Sequence, residues 1–171
     1  VSGSDTLVSF TRKYDGKTTV EIAGVELKDK AALTTTTSGK IGGIVSANTA
    51  TTTKANIAAG DLEVLGNIDV ATLNVLDGSS LTMSKAKADA ESVGSLKAGN
   101  LVVGGKVNAG NVEVTSEAKV LGEMTANELT ATDKKIYVGS SDEDKSFAGK
   151  LVVNKLVSGT IFADPAWKDG N

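Results

Sequence analysis

Residues 60–81, GDLEVLGNIDVATLNVLDGSSL, align without a gap on residues 99–120, GNLVVGGKVNAGNVEVTSEAKV. Leu62 meets Leu101, Val64 meets Val103, Gly66 meets Gly105, Ile68 meets Val107, Leu73 meets Val112, Val75 meets Val114 and Leu81 meets Val120, at a constant spacing of 39. A second echo sets GKVNAGNVEVTS, from Gly105, on GEMTANELTATD, from Gly122, at a spacing of 17. Units this short cannot bury an apolar face alone and must stack on their neighbours, which is the logic of a solenoid. The expected fold is all-β, a parallel β-helix (β-solenoid) with an N-terminal β-hairpin or cap.

Composition supports one elongated body. Apolar residues make up 40% of the 171, enough for a core, but aromatics only 4%, so Val, Leu, Ile and Ala must fill the interior. A net charge of −3 with interspersed signs leaves no basic stripe for phosphate, so no nucleic-acid partner is expected. Zero cysteines exclude disulfides and thiolate metal sites, and zero histidines exclude imidazole ligands. The lack of cysteine also suits a chain that crosses an oxidising compartment unfolded. No run of about 18 apolar residues and no charged segment ahead of an apolar stretch occurs, so neither a membrane helix nor a signal peptide is expected. The ends read as those of a piece cut from a longer protein.

Residues 1–30 alternate apolar and polar in LVSF (Leu7 to Phe10) and VEIAGVEL (Val20 to Leu27), with Asp15-Gly16 between. Period two around an Asp-Gly pair predicts a β-hairpin or the first turn of the solenoid, serving as a cap. The solenoid is expected over 31–163. Its first stretch is threonine-rich, with Thr34 to Thr37 and Thr51 to Thr53 flanking IGGIVSAN. β-Propensity alone explains threonine on the solvent face of strands. A threonine ladder binding ice or a flat glycan, or O-glycosylation, would need a stricter spacing. Thr36-Thr37-Ser38-Gly39-Lys40 lacks the leading glycine of a phosphate loop.

From Gly60 the turns carry apolar-polar-apolar triplets: Leu73-Asn74-Val75, Val112-Glu113-Val114 and Leu129-Thr130-Ala131. Alternation points two side chains of each inward and one outward. Two insertions are expected. The 39-residue spacing exceeds two 17-residue turns by five, which places one near 84–98, SKAKADAESVGSLKA, as a loop or short helix. The other lies near 139–148, where GSSDEDKS reads as a solvated turn whose three acids match no calcium-loop spacing. Residues 164–171 form a C-terminal cap or junction, with Trp167 folding over the last turn and Pro165 ending strand pairing.

Catalytic sets are nearly absent: Ser-His-Asp and Cys-His are impossible, and no Gly-x-Ser-x-Gly occurs. What survives is a carboxylate pair of the kind that cleaves sugar bonds, for which Asp61, Asp69, Glu113 and Glu123 lie on repeat positions. No catalytic, cofactor or metal residue is assigned, and the expectation is a non-enzyme.

The Gly-x-Val-x-Ala-Gly-Asn-Val-x-Val cadence of GKVNAGNVEV, with LEVLGNIDVATLNVLDGSSL before it, resembles the β-helical passengers of bacterial type V autotransporters, the pertactin-like and self-associating adhesins. The tail GTIFADPAWKDGN (Gly159 to Asn171) resembles segments of such passengers where a β-rung ends. The resemblance implies export across two membranes, a right-handed parallel β-helix at the cell surface or secreted, and adhesion or scaffolding. Implied partners are a surface protein or glycan of a host or neighbouring cell, or a second copy, with the membrane anchor elsewhere in the parent protein. GKVNAGNVEVTSEAKVLGEMTANELTA (Gly105 to Ala131) also resembles the bactofilins, cytoplasmic β-helical polymers. Trimeric adhesin stalks and phage fibres are a third class, and a glycan-cleaving β-helix a fourth.

Overall fold

The computed structural model of the chain describes residues 7–10, 20–22, 24–28, 30–47, 52–85, 92–139 and 149–163. Among them the fold is all-β, with no helix. The strands are β1 (Leu7–Phe10), β2 (Val20–Ile22), β3 (Val25–Leu27), β4 (Ala32–Thr35), β5 (Gly39–Ile41), β6 (Ile44–Ser46), β7 (Lys54–Ile57), β8 (Gly60–Val64), β9 (Ile68–Val75), β10 (Ser79–Met83), β11 (Leu96–Val103), β12 (Lys106–Val120), β13 (Glu123–Val138) and β14 (Lys150–Ala163). They form one 14-stranded sheet of parallel pairs that curls into a nearly closed body.

Three columns of pairing build that body. On side one, β1, β4, β7 and residues 72–75 of β9 pair in sequence, followed by the last segments of β11, β12, β13 and β14. Side two runs β2, β5, β8, β10 and then the opening segments of β12, β13 and β14. On side three, β3, β6 and residues 68–70 of β9 lead to the first segment of β11 and the middle segments of β12, β13 and β14.

The triplets explain the core. Leu33, Ala55, Leu73, Leu101, Ala118 and Ile136 register one above another on side one, and all are buried. Ile44, Ile68, Leu96, Val112 and Leu129 do the same on side three. Side two contributes Leu62, Leu81, Val107 and Met124. Burying a side chain of this size stabilises by roughly 1.5–3 kcal/mol. Asn74, Glu113 and Thr130 point outward, as the alternation requires.

The two echoes have different standings in three dimensions. Lys106 pairs with Glu123 and Val107 with Met124, so the 17-residue echo is one full turn. The 39-residue echo joins different sides: Leu62 lies on side two and Leu101 on side one. The true partners of Leu62 are Leu81 and then Val107, 45 residues on over two turns. Every side has the same apolar-polar-apolar requirement, so an alignment slipped by one side looks as good as one in register. The insertion is therefore longer than the 39-residue spacing implies. Of the segment 84–98, Leu96, Lys97 and Ala98 belong to β11, and 86–91 lie outside the described residues.

Of the two N-terminal expectations, a β-hairpin or the first turn of the solenoid, the hairpin is corrected: β1, β2 and β3 pair in parallel with β4, β5 and β6, as a first turn would, and not with one another. The expectation that threonine lies on the solvent face holds in part: Thr36 and Thr52 are exposed, whereas Thr35 and Thr53 are buried, and the strand neighbour of Thr34 is Asn56. Ser46 and Thr53 share a 2.5 Å hydroxyl hydrogen bond, and the Thr53 hydroxyl accepts from Ala71 N at 3.2 Å. The acidic turn at 140–146 and the Trp167 lid lie outside the described residues.

Candidate functional site

Sides one and two meet at a corner formed by the successive turns at 76–78, 104–105 and 121–122. A shallow groove of about 600 Å³ follows it, lined by Asp61, Asp77, Ser80, Lys106, Glu123 and Lys150 over a floor of glycine backbone. Asp61, Ser80, Lys106, Glu123 and Lys150 occupy one register column of side two, all pointing outward. Ser80 Oγ donates to Asp61 Oδ1 at 2.5 Å, and Lys150 Nζ donates to Glu123 Oε1 at 2.9 Å. The hydrogen bond from Lys150 holds the Glu123 carboxyl below the usual carboxylate range; the Lys150 charge and, more weakly, that of Lys106 add to it.

A second groove, of about 380 Å³, lies on side three and is lined in part by Asp69, Lys97, Asn111, Glu113, Glu128 and Thr130. Lys97 registers between Asp69 and Glu113. Its Nζ lies 3.0 Å from Glu113 Oε1, and that hydrogen bond raises the Lys97 ammonium above its usual range, with the Glu113 charge and then Asp69 assisting. Outside both columns, Lys40 Nζ meets Glu63 Oε2 at 2.9 Å on side two, and Lys155 Nζ meets Glu128 Oε1 at 2.9 Å on side three.

The four acids singled out in the sequence thus divide into two pairs on different sides. Asp61 and Glu123 are three strand spacings apart, roughly 14 Å, beyond the range of about 5–9.5 Å used by paired carboxylates in glycoside cleavage. Asp69 and Glu113 are two spacings apart, on the order of 10 Å, but Lys97 occupies the interval that a reacting water or sugar would need. A general acid needs a raised carboxyl pKa, whereas that of Glu123 is lowered. Within these charged columns, Ser80 ties Asp61, Lys150 ties Glu123 and Lys97 ties Glu113 across neighbouring turns.

The sequence reading missed Ser80, Lys97, Lys106 and Lys150, the partners that engage those acids. The 17-residue echo already set Lys106 against Glu123 and could have found one of them. It also missed an aromatic stack on side one. Tyr137 and Phe162, paired in register, have ring centroids 5.7 Å apart at 30°, with Lys135 Nζ 5.7 Å from the Phe162 centroid. Among the described residues no three acidic side chains converge to hold a metal, and no helix is long and apolar enough to cross a membrane. Compared with known proteins, the chain matches no family model, no curated protein and no solved structure.

Proposed function

We propose that the chain is a right-handed parallel β-helix serving as a non-catalytic passenger segment of an exported bacterial surface protein, in adhesion or as a display scaffold. The observation that carries this reading is the turn-on-turn stacking. Every strand between the first three and the last pairs in parallel with strands before and after it, over a mainly aliphatic core. A chain built so can fold in order as it emerges, because each completed turn offers the edge and apolar row on which the next condenses. The absence of cysteine leaves nothing to cross-link on the way out. The three outward sides are then free to meet a protein or glycan of another cell.

A second reading, a bactofilin-like polymer, is favoured by β14. Its Val152, Leu156, Val157, Ile161 and Phe162 are five of the seven exposed large apolar residues among those described. Protease shaving of intact source cells, with mass spectrometry for AGNLVVGGK (Ala98 to Lys106), separates the two. Release from unlysed cells supports the passenger; recovery only after lysis removes it and favours the intracellular polymer.

A further inference from the structure

We propose that Asp77 is a site of spontaneous aspartate isomerisation, at which the fold holds the Gly78 amide nitrogen against the Asp77 carboxyl group. The two residues form the exposed tip of the turn between β9 and β10. Both ends of that turn are pinned. Ser79 N donates to Leu76 O at 3.1 Å, and the buried Ser79 Oγ lies 2.6 Å from Leu76 O and 2.8 Å from Ile57 O, with its one proton shared between the two carbonyls. At the tip, Gly78 N donates to Asp77 Oδ1 at 2.8 Å. The amide nitrogen is thus kept beside the carboxyl group whose Cγ it must reach, and holding reactants near one another shortens an entropic search. Gly78 has φ of 75° and a Cβ there would meet nothing within 4 Å, so the space beside its Cα is open.

The chemistry needs only water. The Gly78 amide nitrogen gives its proton to solvent and bonds to Asp77 Cγ, while the hydroxyl of the protonated carboxyl group takes up a proton from solvent and leaves as water. A five-membered succinimide results. Water then adds to one of its two carbonyl carbons. Breaking the Cγ–N bond restores aspartate; breaking the bond between nitrogen and the main-chain carbonyl carbon leaves isoaspartate, of unchanged mass. Isomerisation lengthens the main chain by one methylene between two pinned residues and moves a carboxylate that lines the larger groove.

The test is to age the purified protein at neutral pH, folded and in urea. Isoaspartate is measured by enzymatic methyl transfer from S-adenosylmethionine and located by electron-transfer fragmentation of the peptide containing residue 77. Isoaspartate at residue 77 should accumulate several-fold faster in the folded protein than in the unfolded chain; an equal or slower folded rate would overturn the proposal. Asp77→Asn provides a second readout, because the same attack then expels ammonia and raises the mass by one unit. That gain should also be several-fold faster when folded, and a rate indifferent to folding counts against the turn. In Asp77→Ser the signal from this peptide should vanish. Its persistence would assign the reaction to another aspartate or asparagine of that peptide, such as Asp69 or Asn74, and overturn the proposal.

Discussion

The carbonyl oxygen of Gly105 lies so close to Gly122 that a Cβ on Gly122 would overlap it, with the Gly104 carbonyl nearly as near. Gly105 has the same relation to the carbonyls of Ser79 and Leu76, and Gly149 to that of Val120. These glycines let successive turns stack backbone on backbone at the corner between sides one and two. Gly122→Ala must push backbone, not a flexible side-chain tip, and should cost about 1–3 kcal/mol. Gly24→Ala, whose new Cβ would lie 3.7 Å from its nearest neighbours, should stay within about 0.5 kcal/mol of the parent. Urea unfolding of both variants checks the contrast; equal losses would mean that corner packing does not set the cost.

Thr35 carries the one buried side-chain oxygen among the described residues that lacks a hydrogen-bond partner. It faces the interior at 3% exposure, where an unpaired hydroxyl costs free energy and a methyl group does not. Thr35→Val keeps the β-branched shape that the strand prefers. It should stabilise the protein by roughly 1 kcal/mol, read as a higher urea midpoint at an unchanged slope.

Leu73 is fully buried between Ala55 and Leu101, whereas Leu156 is 43% exposed. Leu73→Ala removes contacts on both sides of its layer and should cost about 2–5 kcal/mol. For Leu156→Ala a clearly smaller loss is expected in the same unfolding measurement.

The cross-turn ion pairs make stability depend on pH in a defined direction. Glu63 and Glu123 are both held below the usual carboxylate range, first by hydrogen bonds from Lys40 and Lys150 respectively. A lowered folded pKa contributes stability that is present above the unfolded value and is lost as pH falls through the folded one. The melting temperature should therefore fall as pH drops below about 5, and the Glu63→Gln, Glu123→Gln double variant should flatten that decline. Lys97 runs the other way. Its raised pKa contributes stability that is present below its unfolded value, near 10.4, and is lost as pH rises through the folded one. These pairs are exposed, so about 1 M salt, with a screening length near 3 Å, should erase most of the difference.

How far these features were legible depended on which physical rule wrote them. Alternation is local, so the inward pairs Leu73/Val75 and Val112/Val114 could be read from their triplets, and the 17-residue echo gave a true turn. Which side a triplet occupies is not local. Leu62 and Leu101 look equivalent because all three sides ask for the same pattern, and only pairing tells them apart. The same limit explains why a hairpin and a first turn could not be told apart at residues 1–30. An Asp-Gly pair between two alternating segments signals a tight turn, but β1 and β2 found parallel partners a turn further along the chain. The charged columns combine both cases: the acids were visible as repeat positions, while the serine and lysines that engage them come from other turns.

Tyr137 and Phe162 show what such cross-turn pairing adds on an outward face. Their rings stack one turn apart, and Lys135 reaches over the Phe162 ring. In a sheet the cross-strand pair is the unit of stabilisation, and an aromatic pair is worth about 0.5–1.5 kcal/mol beyond the area it buries. A double-mutant cycle of Tyr137→Ala and Phe162→Ala should return a coupling of that size. A cycle of Lys135→Ala with Phe162→Ala should give the smaller value, about 0.5–1 kcal/mol, expected of an exposed cation over a ring. If the first coupling were zero, the rings would merely be adjacent. If it matched expectation, the last two turns would be tied on side one by a contact independent of the buried column, and local opening there should be slower than in Tyr137→Ala, as hydrogen exchange of the β13–β14 amides would report.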